Sequence, residues 1–278
     1  MEKRFSLHKV TNEFEFPFSP KEYSLFKFGD EKIAEKFGKD LFDGFIQKYK
    51  DVVLNNEIHV FPSPYMSIPT ASNYLSFYFK RELDKFLYEN NLSSSKLNKI
   101  HRNQTYTIDY GNLSFEERKN LISNDTYYID KHWIEGKTCL FIDDIKITGS
   151  HEITIHKILE EYKANGNFFY LYFAELMDEN INPQIENYFN YYEIKSVEKL
   201  IDLMNSQNFV FNTRVIKYIL KLEDGDFDKI LLGLNPQKQE ELLNLAISND
   251  YHLLDDLKIN LKKIHNGNQL TKRTERKY

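Results

Sequence analysis

The sequence predicts an α/β fold in which a mainly parallel sheet is flanked by helices and is followed by a C-terminal helical subdomain. The first observation behind this prediction is a repeated order of apolar strand, polar loop and amphipathic helix, at residues 58–88 and again at 138–162. Strands and helices that alternate in this way form βαβ units, whose strands run parallel. The second observation is a helical periodicity that continues from about residue 197 to 264.

These patterns divide the chain into three predicted parts. We expect an α/β domain over residues 1–195, a helical cap or subdomain over 196–264 and a flexible tail over 265–278. Turn sequences at Asn235-Pro236 and around Gly225 separate the helices of the second part. Its apolar stripes are most simply packing surfaces, so we assign this part no chemistry.

The first half of the chain supplies one of the two strand–loop–helix units. Residues 1–29 are expected to be an extended, aromatic-rich lead-in, broken by prolines. Asp30 can cap a helix that runs to about Lys50, because a carboxylate before an apolar stripe is a typical helix start. A short strand at 58–61 and a helix at 71–88 follow, joined by a loop that contains three prolines.

The second half of the α/β part contains the more apolar strands. A short strand is expected at 95–101, and the polar connection 103–137 after it is long enough to suggest a lid over a site. The next strand ends at the paired carboxylates Asp143 and Asp144 and leads into an amphipathic helix. Further strands are predicted at 168–174 and 191–194.

Composition limits the class of protein. The chain has 278 residues, 41% of them hydrophobic, which is enough for a packed core. A net charge of −5 argues against nucleic acid as a partner bound through bulk charge. Cys139 is the single cysteine, which fits a reducing compartment, and no apolar run approaches the ~18 residues of a membrane span. We therefore expect a cytoplasmic protein without a membrane partner.

The run from the two aspartates to the next helix carries the clearest chemical signal. Ligands of open α/β sheets bind at the carboxyl ends of strands, and a loop that enters a helix directs backbone N–H groups towards an anion. Thr148 and Ser150 add hydroxyls there, and Gly149 lets the backbone approach closely. Two carboxylates repel a bare phosphate but suit sugar hydroxyls, or a Mg²⁺ that a phosphate shares. The alternative is a buried strand with an Asp-Asp turn and a helix cap.

At these residues the chain resembles the type I phosphoribosyltransferases. Their signature is a hydrophobic strand, two acidic residues, two small apolar residues and Thr-Thr-Gly-x-Thr. The positions that match it are Asp143, Asp144, Ile145, Thr148 and Gly149. The positions that depart from it are Lys146, Ile147 and His151. The resemblance implies a phosphoribosyltransferase-like α/β fold and binding of 5-phosphoribosyl-1-pyrophosphate (PRPP), or of another nucleotide that contains ribose 5-phosphate.

The resemblance also implies roles for these residues. Asp143 and Asp144 would hold the ribose 2- and 3-hydroxyls and would be the metal ligands for Mg²⁺, directly or through water. The residues expected around the 5-phosphate are Lys146, Thr148, Gly149, Ser150 and His151. The implied reaction transfers or releases the phosphoribosyl group with loss of pyrophosphate. No residue identifies the acceptor.

The loop after the strand at 58–61 stands where this family places its pyrophosphate loop. The family commonly has Lys-Gly or Arg-Gly there, whereas this loop offers only hydroxyls. The residues expected to bind pyrophosphate are Ser63, Tyr65, Ser67 and Thr70, with Ser72 beside them. A proline-stiffened turn is the alternative. The cationic group expected to complete catalysis beside Asp143 and Asp144 is Arg102 or Arg118.

A finer resemblance concerns a divergent bacterial branch of the same family. Arg102, Tyr106, the Asp109-Tyr110-Gly111 run, Arg118 and residues 147–152 are similar to a branch that is associated with tellurium-stress and defence gene clusters. Two other functions stay open. One is a PRPP- or nucleotide-sensing regulator without turnover, and the other is a hydrolase that releases ribose phosphate. A homodimer is a further possibility.

Overall fold

The computed structural model describes residues 2–102, 127–178 and 181–275. Its strands are β1 (Glu2–Val10), β2 (Ile58–Pro62), β3 (Lys96–Leu97), β4 (His101–Arg102), β5 (Tyr127–Tyr128), β6 (Lys137–Lys146) and β7 (Gly166–Leu176). Its α-helices are α1 (Pro20–Lys27), α2 (Glu31–Leu54), α3 (Ala71–Glu89), α4 (Ser150–Glu161), α5 (Ile185–Asn190), α6 (Val197–Met204), α7 (Thr213–Leu220), α8 (Asp224–Gly233), α9 (Pro236–Ser248) and α10 (Asp255–Glu275). The predicted α/β class is confirmed.

Five parallel strands form the central sheet, in the order β1-β7-β6-β2-β3. β6 lies between β2 and β7, so most of its residues are buried. Strands that are covered on both faces are nearly continuous apolar runs, which explains why the sequence identifies β6 and β7 so clearly. The same central position brings the aspartates at the end of β6 to the carboxyl edge of the sheet.

Helices cover both faces of this sheet. Side chains alternate along β7, and Phe169 and Phe173 face a core formed with α2 and α3. Tyr170 and Tyr172, on the opposite face, join a second core with α4, which contributes Ile155 and Ile158. The sheet therefore holds α4, and the loop that precedes it, on one side of the site.

The C-terminal helices have a core of their own. Residues of α6 to α10 form it, and Phe28 and Ile68 join it from the α/β part. Asn249 fixes the junction, because its Oδ1 accepts hydrogen bonds from the N–H groups of Ser67 and Ile68 at 3.0 and 3.2 Å. The sequence predicts a flexible tail from residue 265, whereas α10 continues to Glu275. None of the helices in the described residues has the length and apolar character needed to cross a membrane.

The prediction of an extended lead-in over residues 1–29 is wrong in two places. β1 is an edge strand of the main sheet and pairs with β7, with Phe5 opposite Leu171. Pro20 begins α1 and does not interrupt it, since the first turn of a helix needs no N–H from that residue. Ser19 caps this helix by accepting a hydrogen bond from the N–H of Glu22 at 3.3 Å.

Two predicted strands also differ from the structure. The expected strand at 95–101 is divided: β3 extends the main sheet beside β2, whereas β4 pairs antiparallel with β5. The expected strand at 191–194 is irregular, because the N–H groups of Glu193 and Ile194 donate to the Ser24 hydroxyl at 3.1 and 3.4 Å and not to a strand. Most of the predicted lid, residues 103–126, lies outside the described residues.

Candidate functional site

A cavity of about 510 Å³ opens at the carboxyl ends of β2 and β6. On the α/β side it is lined by Lys27, Ser63, Pro64, Thr70, Ala71, Ser72, Arg102, residues 143–152, Tyr172, Glu186 and Tyr191. The C-terminal helices line it with Thr213, Arg214, Lys217, Tyr218, Lys221 and Leu222. The site therefore lies between the two parts of the chain, and it is large enough for a small organic ligand.

Asp144 is held inside the protein by two side chains of α1. Its Oδ2 accepts hydrogen bonds from Lys27 Nζ at 2.5 Å and from the Tyr23 hydroxyl at 2.7 Å. Asp144 is 5% exposed and Lys27 is 9% exposed, so this is a buried ion pair. The sequence does not indicate Lys27, because it lies 117 residues from its partner in a segment expected to be a lead-in.

Asp143 points to the other wall of the cavity. Its Oδ1 accepts hydrogen bonds from the Ser63 hydroxyl at 2.7 Å and from the N–H of Asp144 at 2.9 Å. Its Oδ2 lies 3.1 Å from Nδ1 of His151. The carboxylate thus links the end of β2, the end of β6 and the start of α4. His151, expected at the 5-phosphate, lines the cavity while its Nδ1 contacts Asp143.

The two aspartates differ in acidity because their partners differ. Burial alone would raise the pKa of Asp143, but hydrogen bonds from His151 and Ser63 outweigh it and hold that pKa well below its usual range. For Asp144 burial dominates and raises the pKa, although the Lys27 ammonium opposes it. The pKa of Asp143 is therefore the lower of the two, and the Lys27 ammonium lies beside the carboxylate of Asp144.

The loop between β6 and α4 has the geometry of an anion site. Gly149 adopts a left-handed φ of +72°, which side chains disfavour, and it immediately precedes the helix. Gly149 at the N-cap has no side chain to cap the first turn of α4, and the residues of that turn, Ser150 to Glu152, line the cavity. The hydroxyls of Thr148 and Ser150 lie 2.7 Å apart beside them. These residues also line the cavity, as does Lys146.

Lys146 is fixed by the neighbouring strand. Its Nζ lies 3.2 Å from Glu175 Oε1, and Glu175 also accepts hydrogen bonds from Ser6 and Arg4 at 2.6 and 3.1 Å. Arg4 binds Glu152 of α4 as well. This network joins β1, β7 and α4 beneath the cavity, so that the position of the Lys146 ammonium is set by the sheet.

The loop after β2 contributes only part of its expected hydroxyls. Ser63 and Thr70 line the cavity together with Ser72, whose hydroxyl donates to Ser63 Oγ at 2.6 Å. Tyr65 and Ser67 are not among the described residues that line it. The ammonium of Lys99 lies 4.1 Å from the centre of the Tyr65 ring, and the N–H of Ser67 donates to Asn249, which explains their orientation.

Positive charge reaches the cavity from elements that the sequence analysis does not assign to the site. Arg102 lines it as expected, and Arg118 lies outside the described residues. The additional cations are Lys27, Arg214, Lys217 and Lys221. The last three lie on one face of α7 and its C-terminal cap, opposite the apolar stripe. The polar face of this amphipathic helix is visible in the sequence, and its three cations are the signal that could have identified them.

Protein donors already contact three of the four oxygens of the predicted magnesium ligands Asp143 and Asp144. Both oxygens of Asp143 and Oδ2 of Asp144 are engaged by protein donors, and one of those donors is itself a cation. Within the described residues there is no group of three or more His, Cys, Asp or Glu side chains that could hold a metal. Ligation of Mg²⁺ by Asp143 and Asp144, directly or through water, stays a prediction.

Comparison with known proteins identifies the family. A family model described as "PRTase ComF-like", in which PRTase denotes phosphoribosyltransferase, matches residues 1–264. Among solved structures, a hypoxanthine phosphoribosyltransferase from Trypanosoma cruzi in complex with the product IMP shares 14% identity, with 53% of this chain and 75% of that chain covered and a TM-score of 0.32.

A purine phosphoribosyltransferase from Pyrococcus horikoshii shares 9% identity over 51% of this chain and 84% of that chain, with a TM-score of 0.30. Values this low carry no argument about ligand or reaction. No curated protein matches the chain. The family model covers nearly the whole sequence, both the α/β part and the C-terminal helices. The chain therefore belongs to the ComF-like phosphoribosyltransferase family.

Proposed function

We propose that the protein binds PRPP in the cavity at the end of β6 and transfers the phosphoribosyl group with loss of pyrophosphate. One arrangement carries the proposal: the start of α4 after Gly149 and the carboxylate of Asp143 line the same cavity. The first suits a phosphate and the second suits the hydroxyls of a sugar. PRPP contains both groups on one ribose.

Each group of the site has a role in this proposal. The N–H groups and hydroxyls from Thr148 to His151 bind the 5-phosphate, and Lys146 adds a positive charge beside them. Asp143 accepts hydrogen bonds from the ribose hydroxyls. The bond between C1 and the pyrophosphate oxygen then breaks through an oxocarbenium-like sugar, its electron pair leaves with pyrophosphate, and an acceptor bonds to C1. Arg102 is the described cation from the predicted catalytic set that lines the cavity.

In this proposal magnesium binds to the pyrophosphate of PRPP and reaches the cavity together with it. Because three of the four aspartate oxygens already have protein donors and Asp143 is assigned to the ribose hydroxyls, we assign the ion no direct protein ligand and no step. The phosphate oxygens of PRPP are the hard ligands that Mg²⁺ prefers. A dependence of binding on Mg²⁺ would accordingly reflect the ligand's pyrophosphate.

A PRPP-sensing protein without turnover is the second candidate. The observation that favours it is the engagement of both aspartates by protein partners, above all the buried ion pair of Asp144 with Lys27. A carboxylate that is neutralised in this way is a weak stabiliser of a developing positive charge on the sugar. Such a site can hold a ligand and still be slow in chemistry.

Binding is tested by thermal melting with PRPP. At a concentration of 100 times Kd, a ligand stabilises by about 2.7 kcal/mol, which is roughly 5 °C for a chain of this size. Asp143→Asn should abolish most of the shift, while Asp226→Asn, a matched change on the surface of α8, should keep it. Equal shifts in both variants would contradict the assignment of ribose to Asp143.

Turnover is tested separately on the wild-type protein. Pyrophosphate release from PRPP with Mg²⁺ is measured across a panel of nucleobases. Release that requires one base supports transfer, and release without a base, together with ribose 5-phosphate, indicates hydrolysis. Binding without release in any mixture supports the sensor.

A further inference from the structure

We propose that α7 provides a diphosphate clamp, in which Arg214, Lys217 and Lys221 bind the diphosphate group of the ligand. This inference rests on the proposed function and deepens it, because it moves the pyrophosphate subsite from the loop after β2 to the C-terminal helices. The three side chains line the same cavity as the β6–α4 loop, which comes from the other part of the chain. A ligand with a phosphate at one end and a diphosphate at the other would then be held between the two parts of the chain.

The spacing of these residues is what makes them a single surface. Positions 214, 217 and 221 follow one another at three and four residues, so they share one face of α7 and its C-cap. The opposite face consists of Val215, Ile216, Ile219 and Leu220, all buried in the core of the C-terminal helices. The apolar face fixes the rotation of the helix, and the cationic face is thereby directed into the cavity.

The helix is also anchored at both ends. At its start, the amide of Asn212 donates to the carbonyl of Lys27 at 3.1 Å, and the hydroxyl of Thr213 donates to the carbonyl of Ile68 at 2.9 Å. At its end, the amide of Asn260 donates to the carbonyls of Leu220 and Leu222 at 3.0 and 2.8 Å. A charged surface on such a platform is pre-organised, so little ordering is needed when an anion binds.

Charge gives the reason for a diphosphate. The loop after β2 lines the cavity with hydroxyls and with no lysine or arginine among its residues from 63 to 72, whereas the α7 face presents three cations. Charge-assisted hydrogen bonds to phosphate are roughly twice as strong as neutral ones. Among the described residues that line the cavity, six are lysine or arginine and four are aspartate or glutamate, so the formal charge of the lining is positive, which favours a multiply charged anion.

Aromatic rings help to place two of these cations. The Arg214 guanidinium lies 5.9 Å from the centre of the Tyr191 ring, and the Lys217 ammonium lies 5.9 Å from that of Tyr251. Contacts at this distance favour a cation over the ring face. Lys221 is the most exposed of the three, and its single substitution is therefore the least disruptive test.

The clamp is tested by calorimetric titration of the full chain with inorganic pyrophosphate, ribose 5-phosphate and PRPP. Lys221→Gln should weaken pyrophosphate binding about 3- to 10-fold, and the combined Arg214→Gln, Lys217→Gln and Lys221→Gln variant should weaken it by roughly 100-fold or more. Ribose 5-phosphate affinity should stay within about twofold. The matched control is Lys262→Gln, an exposed lysine of α10 that is not among the cavity-lining residues.

The outcomes separate the clamp from the proposed function. Unchanged pyrophosphate affinity in Lys221→Gln and in a folded triple variant, or no pyrophosphate binding by the wild type, overturns the clamp. If the wild type binds pyrophosphate through these residues but neither PRPP nor ribose 5-phosphate, the clamp stands and the proposed function fails. The titration is repeated with a nucleoside diphosphate. If Lys221→Gln weakens its binding as much as it weakens pyrophosphate binding, the clamp is supported and the diphosphate belongs to a nucleotide.

Discussion

Replacement of Lys27 by methionine should destabilise the protein much more than replacement of an ordinary surface lysine. The distance from Lys27 Nζ to Asp144 Oδ2 is 2.5 Å, and at an effective dielectric constant of about 20 two unit charges that close attract by about 6–7 kcal/mol. Desolvation of both groups offsets much of this attraction. Because Lys27→Met leaves a buried carboxylate for which the Tyr23 hydroxyl is the remaining side-chain donor among the described residues, we expect a loss of about 3–5 kcal/mol at pH 7.

The pH dependence of this loss follows from the pKa of Asp144. Burial already raises that pKa above its ordinary value of 3.8, and Lys27 is the group that most opposes the rise. Without Lys27 the folded-state pKa rises further, so ionisation opposes folding. The variant therefore loses stability as the pH rises from about 3.8 through the raised pKa. The difference in the free energy of unfolding between the variant and the wild type should be smallest in acid and should reach its full size above that pKa.

The measurement is urea unfolding of both proteins between pH 4 and pH 8. Lys36→Met is the matched control, because Lys36 forms an ion pair of 2.6 Å with Glu22 in which the side chains are 49% and 33% exposed. Solvent screening should limit its effect to about 1 kcal/mol or less. Adding Asp144→Asn to Lys27→Met should recover part of the loss. Equal losses for Lys27→Met and Lys36→Met, or a deficit independent of pH, would refute the reasoning.

Two further predictions concern the loop and the cysteine. Gly149→Ala should cost about 1–2 kcal/mol of backbone strain. It should also weaken ribose 5-phosphate binding, since the new Cβ would lie 3.2 Å from Lys146 Cε. Gly136→Ala is the control: its φ of +70° is similar and nothing lies within 4 Å, so it should cost the same strain and leave binding unchanged. Equal ligand affinity in both variants, measured by titration, would remove the glycine from the site. Burial raises the pKa of the Cys139 thiol to about 12. A thiol reagent at pH 8 should therefore modify Cys139 no faster than the protein unfolds. Rapid modification of the native protein would contradict this prediction, because it would require β6 to become exposed without global unfolding.

Local patterns in the sequence determine much of the α/β part. The apolar runs predict β2, β6 and β7 because central parallel strands are buried on both faces. Asp30 caps α2 as expected, with its Oδ1 accepting from the N–H of Ile33 at 3.2 Å. The order of strand, two carboxylates, Thr-Gly and helix likewise predicts the loop that lines the cavity. All of these features depend on residues that are close together in the chain.

Contacts between distant residues decide the rest. Whether Asp144 faces a ligand or an ion pair depends on Lys27, 117 residues away, and only packing of α1 against the sheet brings the two together. β1 lacks a continuous apolar run because it is an edge strand, so its place beside β7 is fixed by pairing across the fold. The periodicity of α7 predicts an amphipathic helix, but only the docking of its apolar face on the C-terminal core directs Arg214, Lys217 and Lys221 into the cavity. Periodicity reports which faces of an element are apolar, and tertiary packing determines what each polar face meets.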